Sequence, residues 1–336
     1  MNLLTKTLFF AVALLSAAVL CSCSQTSQPI KSSPEEAEIV ANCDGHEIPF
    51  EQIRYLCISH KADMQNEYGE DIWSTPESSQ KYRDELISRV ENDIKTYSTV
   101  LSVCKNYNIS INDKEIQEAV QKEIDYVVFE VYGGVDEYKK ALSDGNMTDS
   151  CFRFMYGIYY CQNELYLLMT QGIGTISAPS DPEELYDLIC DEFYRTTHVY
   201  IPFNYGGNGK EENRAKAEDI YARLESGEIS FERAQFEGGV DQALPDEGFY
   251  FSRGYAELDY EAASCALAVG ETSELVELGS AFYIIKRLEL DTEYVMGNMF
   301  TLRTQYMQSQ FNSLLNDYKN KLEVNYLKEI DLTSVN

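Results

Sequence analysis

The sequence predicts an α+β fold, with long helices towards both ends of the chain and a small antiparallel sheet flanked by helices between them. Apolar residues recur at spacings of three and four through residues 75–107 and 293–327, which is the helical period. Strand-like patterns are concentrated in one block, residues 193–290. Hydrophobic residues make up 44% of the 336, so the chain has enough apolar side chains for the cores of two domains.

The charge balance limits the partners of this chain. It has 56 acidic and 27 basic residues, for a net charge of −29. Such a surface repels nucleic acid and anionic lipid headgroups, so we expect no nucleic-acid partner. Two interpretations of the acidity stay open: a solvated surface that keeps the protein soluble, or a surface that attracts basic, unfolded polypeptides.

Residues 1–23 are predicted to be a lipoprotein signal peptide. Lys6 supplies a basic start, and residues 8–20 are an apolar stretch too short to span a bilayer as a mature helix. Cys23 follows the small residue Ser22 and has Leu20 three positions before it, which resembles the cleavage box of bacterial lipoproteins. This implies lipidation of Cys23 and an extracytoplasmic protein anchored to the cell membrane, with ordinary secretion as the alternative. Residues 24–37, rich in Ser, Gln and Pro, predict a flexible tether.

The first elements after the tether follow local signals. Residues 39–48 predict a hairpin that turns at Asp44-Gly45, and a helix is expected from Pro49 onward. Thr75-Pro76 begins the long helix that ends near residue 107. Residues 112–115 (NDKE) resemble a capping box at the start of the next helix.

The helix predicted from Cys151 to about Met169 is apolar on most of its faces, which is typical of a buried helix. A surface that binds unfolded polypeptides is the alternative, because exposed apolar grooves mark interaction sites. Residues 180–183 (SDPE) then cap a helix that runs toward a short alternating strand, residues 197–201.

The central block contains a defined order of elements. They are the strand 197–201, a helix 214–224 closed by Gly227, a connection through 229–234, an aromatic strand 248–251, a helix around Tyr260 and a strand 281–288. Local motifs accompany them: His198 in the first strand, LESGEISF at 224–231, FSRG at 251–254, YEAA at 260–263, VGETS at 269–273 and YIIK at 283–286. Together they resemble the parvulin-type peptidyl-prolyl isomerases.

The region before this block resembles the helical part of SurA-like and PrsA-like foldases, through ISINDKEI at 109–116 and LSDGNMT at 142–148. The resemblance implies a helical chaperone (SurA-N-like) domain at 38–192 and an inserted parvulin-like (PpiC-type) domain at 193–290. It further implies that the C-terminal helix, residues 291–336, packs on the N-terminal domain, so that both chain ends build one helical module. The implied function is a foldase that binds unfolded or newly exported polypeptides and catalyses cis–trans isomerisation of X–Pro bonds.

The resemblance also implies the site residues. His198 takes the place of the first family histidine, Asp241 that of the family's Asp or Cys, and Tyr283 that of the second histidine. The proline pocket would consist of Phe249, Phe251, Ala256, where the family has Met, and Tyr260, where the family has Phe. We expect Tyr283 to donate a hydrogen bond to its neighbour in place of the missing histidine. The changes at Tyr283 and Ala256 keep open a catalytically weak or inactive holdase that acts only as a chaperone.

Isomerisation of a prolyl bond needs no nucleophile, metal or cofactor, so we expect neither a metal site nor a small-molecule cofactor. The seven cysteines after Cys23 contain no Cys-x-x-Cys pair, so most are expected to be buried small hydrophobic residues, although a single disulfide stays open. A solute-binding lipoprotein is the remaining alternative. It is disfavoured because such proteins repeat strand–helix units, whereas the strands here concentrate in one block.

Overall fold

The computed structural model describes residues 26–335, and within this range the chain forms two compact units. The sheet unit consists of residues 64–70 and 175–314, and the helical unit of residues 26–63, 71–174 and 315–335. The predictions of a signal peptide and of lipidation at Cys23 lie outside the described residues.

The helical unit begins with the predicted hairpin. Strand β1 (Ile39–Cys43) pairs with β2 (His46–Pro49), and Cys43 lies opposite His46. Asp44 and Gly45 form the turn with φ angles of 52° and 82°, the left-handed conformation that a tight two-residue hairpin requires.

Five α-helices follow the hairpin. They are α1 (Phe50–Tyr68), α2 (Pro76–Asn106), α3 (Lys114–Tyr126), α4 (Val135–Asp144) and α5 (Asp149–Leu167). Thr75 caps α2 as predicted, since its side chain accepts a hydrogen bond from Ser78 N. The capping box predicted for α3 is wrong. Asp113 does precede the helix, but its Oδ2 accepts from Ser110 N at 2.7 Å, so its carboxylate closes the preceding turn instead.

The segment predicted as a tether, residues 24–37, packs on the helical unit from Ser27 onward, which differs from the prediction. Ser27 is buried, and its N and Oγ lie 2.6 and 2.7 Å from Oδ1 of Asp125. Ile30 N donates to Asp149 Oδ2 at 3.0 Å. Both carboxylates are buried, and buried carboxylates need donors, so this segment adds hydrogen bonds to those that Asp125 and Asp149 accept from helical side chains.

The sheet unit contains the central block. Its elements are α6 (Pro182–Glu192), β3 (Phe193–Pro202), α7 (Lys210–Glu225), α8 (Phe231–Glu237), β4 (Phe249–Ser252), α9 (Leu258–Ala266), β5 (Thr272–Leu278) and β6 (Ala281–Leu288). The strands form an antiparallel sheet in the order β4-β3-β6-β5. Strand β3 begins at Phe193 rather than at the predicted Thr197, because its first residues pair with β4.

The two faces of this sheet have different roles. On one face, apolar residues of β3 and β6 such as Val199, Ile201 and Phe282 pack against α7 and α8 in a buried core. Side chains alternate along a strand, so Thr196, His198 and Tyr200 lie on the opposite face. That face meets α9, whose Tyr260 is 5% exposed.

The chain ends with α10 (Thr292–Lys319) and β7 (Val324–Tyr326). The predicted helix through residue 327 is therefore wrong beyond Lys319. Val324-Asn325-Tyr326 alternates apolar and polar residues and pairs with β1, with Asn325 opposite Asn42, which gives a sheet of order β2-β1-β7. Residues 315–335 belong to the helical unit together with residues 26–63 and 71–174, whereas residues 292–314 of α10 belong to the sheet unit. Long helices combined with small antiparallel sheets confirm the predicted α+β fold class. The domain boundaries at 192/193 and 290/291 stay predictions.

Five cysteines of the helical unit are free and buried: Cys43, Cys57, Cys104, Cys151 and Cys161. They confirm the expectation of small apolar core residues. Among the helices at residues 26–335, none combines the length and apolar character needed to cross a bilayer.

Candidate functional site

His198 lies near the middle of β3, one of the two inner strands. Across the sheet its neighbour on β6 is Ile285, and Tyr200 lies opposite Tyr283, which places Tyr283 diagonal to His198 on the same face. Gln235 Nε2 on α8 donates to the carbonyl of His198 at 3.0 Å and so holds the backbone at this point.

Both ring nitrogens of His198 have partners. Nε2 lies 3.0 Å from Asp241 Oδ2, and Nδ1 lies 2.9 Å from the hydroxyl of Tyr260. Asp241 follows α8, and its Oδ1 accepts from Ala243 N at 2.8 Å. The hydrogen bond from His198 lowers the pKa of Asp241, so this side chain is a carboxylate at neutral pH.

Tyr260 has a larger part in the site than predicted. Its ring lies in the expected apolar cluster, but its hydroxyl also lies 2.9 Å from Thr196 Oγ1, in addition to the bond to His198. Burial raises the pKa of Tyr260 far above its usual value, so the phenol is neutral and keeps a proton to donate. Thr196 is a member of the network that the sequence patterns did not predict. Its place two residues before His198, on the same face of a strand, is the signal that could have revealed it.

Tyr283 contacts His198 differently from the prediction. Its ring centroid lies 5.0 Å from that of the imidazole, and the ring planes are nearly perpendicular at 80°. Both nitrogens of His198 already have partners, so the expected hydrogen bond from Tyr283 to this histidine is replaced by an edge-to-face ring contact.

The predicted pocket residues all belong to one apolar cluster beside His198. The rings of Phe249 and Phe251 are stacked with centroids 5.3 Å apart, and Tyr260 meets both edge-on. Phe249 and Ala256 are only half-buried, so part of the cluster faces solvent next to the polar network. The structure therefore brings together all seven predicted residues of the site, while their catalytic and binding roles stay predictions.

Chemically, the site offers hydrogen-bonded polar groups with fixed orientations next to an apolar surface. Its His–Asp pair adjoins a phenol rather than a serine or cysteine nucleophile. Within residues 26–335, no group of three or more His, Cys, Asp or Glu side chains is arranged to hold a metal ion. This arrangement suits a reaction in which a bound amide is held and twisted.

No protein-family model matches the chain. The curated relatives of this chain include proteins named foldase protein PrsA. The protein from Caldanaerobacter subterraneus subsp. tengcongensis is 23% identical over 318 residues, which covers 93% of this chain and 90% of the relative. The protein from Staphylococcus aureus strain MRSA252 is 26% identical over 191 residues, covering 54% of this chain and about half, 53%, of the relative.

Among solved structures, the foldase protein PrsA from Streptococcus pneumoniae is 14% identical and matches with a TM-score of 0.34 over 75% of this chain and 82% of that one. The resemblance to PrsA-like foldases is confirmed by the sequence similarity to the Caldanaerobacter protein, which extends over nearly the whole chain.

Proposed function

We propose that this protein is an extracytoplasmic foldase that binds unfolded, newly exported polypeptides and accelerates cis–trans isomerisation of their X–Pro bonds. The observation that carries the proposal is the hydrogen-bonded network of His198, Asp241 and Tyr260 on the edge of the aromatic cluster. Similarity to a foldase over 93% of the chain supports it.

The reaction has a barrier of about 18–20 kcal/mol because twisting the peptide bond breaks its resonance. In the proposed mechanism the proline ring lies on the half-buried ring of Phe249, which the fully buried Phe251 supports from beneath, and this contact excludes water from one side of the amide. The His198 network presents fixed dipoles to the twisted bond, and these need no reorganisation as the charge distribution changes. Lowering the barrier by about 4 kcal/mol would give roughly a thousandfold acceleration.

Exposed apolar side chains lie close to this site and offer contacts to an unfolded chain. Val240, 85% exposed, directly precedes Asp241, and Tyr255, 42% exposed, has its ring 6.2 Å from that of Phe249. Exposed patches of several apolar side chains are typical of surfaces that bind other polypeptides. We propose that these residues contact the segments on either side of the bound proline.

A protease-free prolyl isomerisation assay on the chain from Ser24 onward tests the proposal. We expect acceleration by the parent and a rate near background for a His198→Ala, Asp241→Ala double variant, because both ends of the Nε2 hydrogen bond are removed. A His46→Ala variant serves as the control, since it removes a histidine of the helical unit and should retain the parent's rate.

A holdase without isomerase activity is the second candidate. This candidate is favoured by the residue at position 283. The resemblance predicts a second, hydrogen-bonding histidine there, whereas Tyr283 contacts His198 only edge-to-face through its ring. A parent that matches the background rate yet suppresses aggregation of an unfolded protein would establish this candidate and remove the isomerase.

We also propose that Cys23 is lipidated and anchors the protein to the outer side of the cell membrane. Expression in bacteria with a radiolabelled fatty acid tests this. The parent should carry the label and enter the detergent phase, whereas a Cys23→Ala variant should do neither. An unlabelled parent recovered in the aqueous phase would indicate ordinary secretion.

A further inference from the structure

We infer that the hydroxyl of Tyr260, backed by Thr196, positions the imidazole of His198 for the reaction, so that Tyr260 has two separable functions in one side chain. Its ring belongs to the apolar cluster, and its hydroxyl belongs to the polar network. This inference rests on the proposed function and adds to it a positioning residue and a second hydroxyl behind it.

The directions of the hydrogen bonds follow from the chemistry of the partners. A carboxylate can only accept, so Nε2 of His198 carries the proton that is shared with Asp241. In the neutral imidazole Nδ1 then has a lone pair, and the hydroxyl of Tyr260 donates to it. The phenol oxygen is left to accept from Thr196 Oγ1, which completes one continuous chain of donors from Thr196 to Asp241.

Burial makes these bonds hard to replace. Thr196 is fully buried, and Tyr260 and His198 are 5% and 7% exposed, so little water reaches the two bonds at Nδ1 and the phenol. A lost hydroxyl would therefore leave a buried acceptor without a donor.

The imidazole ring of His198 is therefore held at both of its nitrogens. A histidine with a single partner can rotate about the bond to its ring, whereas His198 is held at both nitrogens and is in contact with the Tyr283 ring. An orientation set before substrate binds is what a polar group needs to stabilise a twisted amide. The hydroxyl of Tyr260 thus supplies at Nδ1 the restraint that Tyr283 does not.

The test uses substitutions that remove hydroxyls and keep shape. Tyr260→Phe keeps the ring, Thr196→Val keeps the branched side chain, and Thr196→Ser keeps the hydroxyl. Tyr294→Phe is the matched control, because Tyr294 stacks on Tyr250 within the same unit, with centroids 4.3 Å apart, away from this network. Melting temperatures identify any variant that does not fold.

The first readout is nitrogen-15 NMR of the imidazole. The chain has three histidines, so the His198 signals can be assigned by their loss in a His198→Ala variant. We expect the parent to show the Nε2–H tautomer with a hydrogen-bonded Nδ1. In Tyr260→Phe the Nδ1 signal should move to the position of a nitrogen without a donor, and in Thr196→Val it should move part of the way. Thr196→Ser and Tyr294→Phe should match the parent.

The second readout is the kinetics of prolyl isomerisation. Tyr260→Phe should lower kcat/KM about tenfold through kcat, with KM little changed, because the aromatic ring that completes the apolar cluster remains. Thr196→Val should lower it less, and Thr196→Ser should recover most of the parent's value.

An Nδ1 signal that stays in place in Tyr260→Phe would overturn the inference, and so would a kinetic loss confined to KM. If Tyr260→Phe does not fold, the inference is tested by comparing Thr196→Val with Thr196→Ser. An Nδ1 signal that is the same in both variants, or a kinetic loss in Thr196→Val that is confined to KM, would overturn it. A parent without isomerase activity whose Nδ1 signal still responds to Tyr260→Phe would overturn the proposed isomerase and support the positioning of His198 by Tyr260.

Discussion

Each compact unit of this protein contains one histidine hydrogen-bonded to an aspartate, and the two pairs differ in their surroundings. His60 Nε2 lies 2.9 Å from Asp93 Oδ2 in the helical unit, and His198 Nε2 lies 3.0 Å from Asp241 Oδ2 in the sheet unit. The side chain of Asp93 is 7% exposed, whereas that of Asp241 is 20% exposed. Similar bond lengths therefore occur in a closed core and at a partly open site.

The two histidines differ more in the hydrogen-bond partner of their other ring nitrogen, Nδ1. His198 Nδ1 has the Tyr260 hydroxyl as its partner, whereas Nδ1 of His60 is buried without a hydrogen-bond partner among the described residues. Burial also raises the pKa of Tyr55, which lies near Asp93, to about 12. A His–Asp distance alone therefore does not identify a reactive site. The partner on the other nitrogen and access to solvent distinguish the two.

The largest expected effect is the loss of stability when the buried His60–Asp93 pair is broken. Asp93→Ala should lower the free energy of unfolding by about 3–5 kcal/mol, because it leaves a buried imidazole without its partner. Denaturant unfolding measures the loss. Asp84→Ala is the control on the same helix, since Asp84 has a side chain that is 93% exposed and should change stability by less than about 0.5 kcal/mol. Equal losses of unfolding free energy in Asp93→Ala and Asp84→Ala would show that the buried His60–Asp93 pair contributes no more stability than an exposed aspartate.

His198→Ala should affect activity more than stability. We expect kcat/KM for isomerisation to fall about a hundredfold, which corresponds to roughly 2.7 kcal/mol. The loss of unfolding free energy should be smaller than for Asp93→Ala, because Asp241 is partly exposed and can be hydrated. A stability loss as large as that of Asp93→Ala, with unchanged kcat/KM, would make His198 a core residue like His60.

The pH dependence of stability tests the charge of Asp241. Its pKa is held below the usual 3.8 by the hydrogen bond from His198, so the carboxylate contributes stability that is fully present above that value. The contribution is lost as the pH falls through the lowered pKa of the folded state. The parent should therefore be more stable than Asp241→Asn by about 1 kcal/mol at neutral pH, and the difference should disappear in acid. Urea unfolding across a pH series measures this, and a difference that grows in acid would contradict it.

The smallest effect is expected at the edge of the aromatic cluster. Ala256→Met adds apolar surface where the resemblance predicts a methionine, so it should cover more of a bound proline ring and raise kcat/KM about threefold. Steady-state kinetics with a proline-containing peptide measures the gain. Ala262→Met on the exposed side of α9 should leave kcat/KM unchanged. A loss of activity in Ala256→Met would show that the cluster has no room for a longer side chain.

Much of the fold was accessible from local sequence patterns. The Asp44-Gly45 turn, the cap at Thr75 and the alternation around His198 each depend on neighbouring residues, and each was located correctly. The end of α10 was predicted incorrectly. The strand Val324–Tyr326 forms through its pairing with the edge of β1, and this distant pairing is not visible in the local residue pattern. The contacts of Ser27 with Asp125, across 98 positions, are equally invisible to local periodicity.

The features of the candidate site also differ in whether local residue patterns can predict them. Residue patterns alone are enough to predict the α+β class, the acidic surface, the strand that contains His198 and the set of residues expected around it. The packing of distant elements is what places the Tyr260 hydroxyl, 62 positions away, against Nδ1 of that histidine and the ring of Tyr283 against its imidazole. Periodicity determines which face of a strand or helix a side chain occupies. The partner of a polar group depends on distances near 3 Å between elements far apart in the chain, and those distances arise only when the elements pack together.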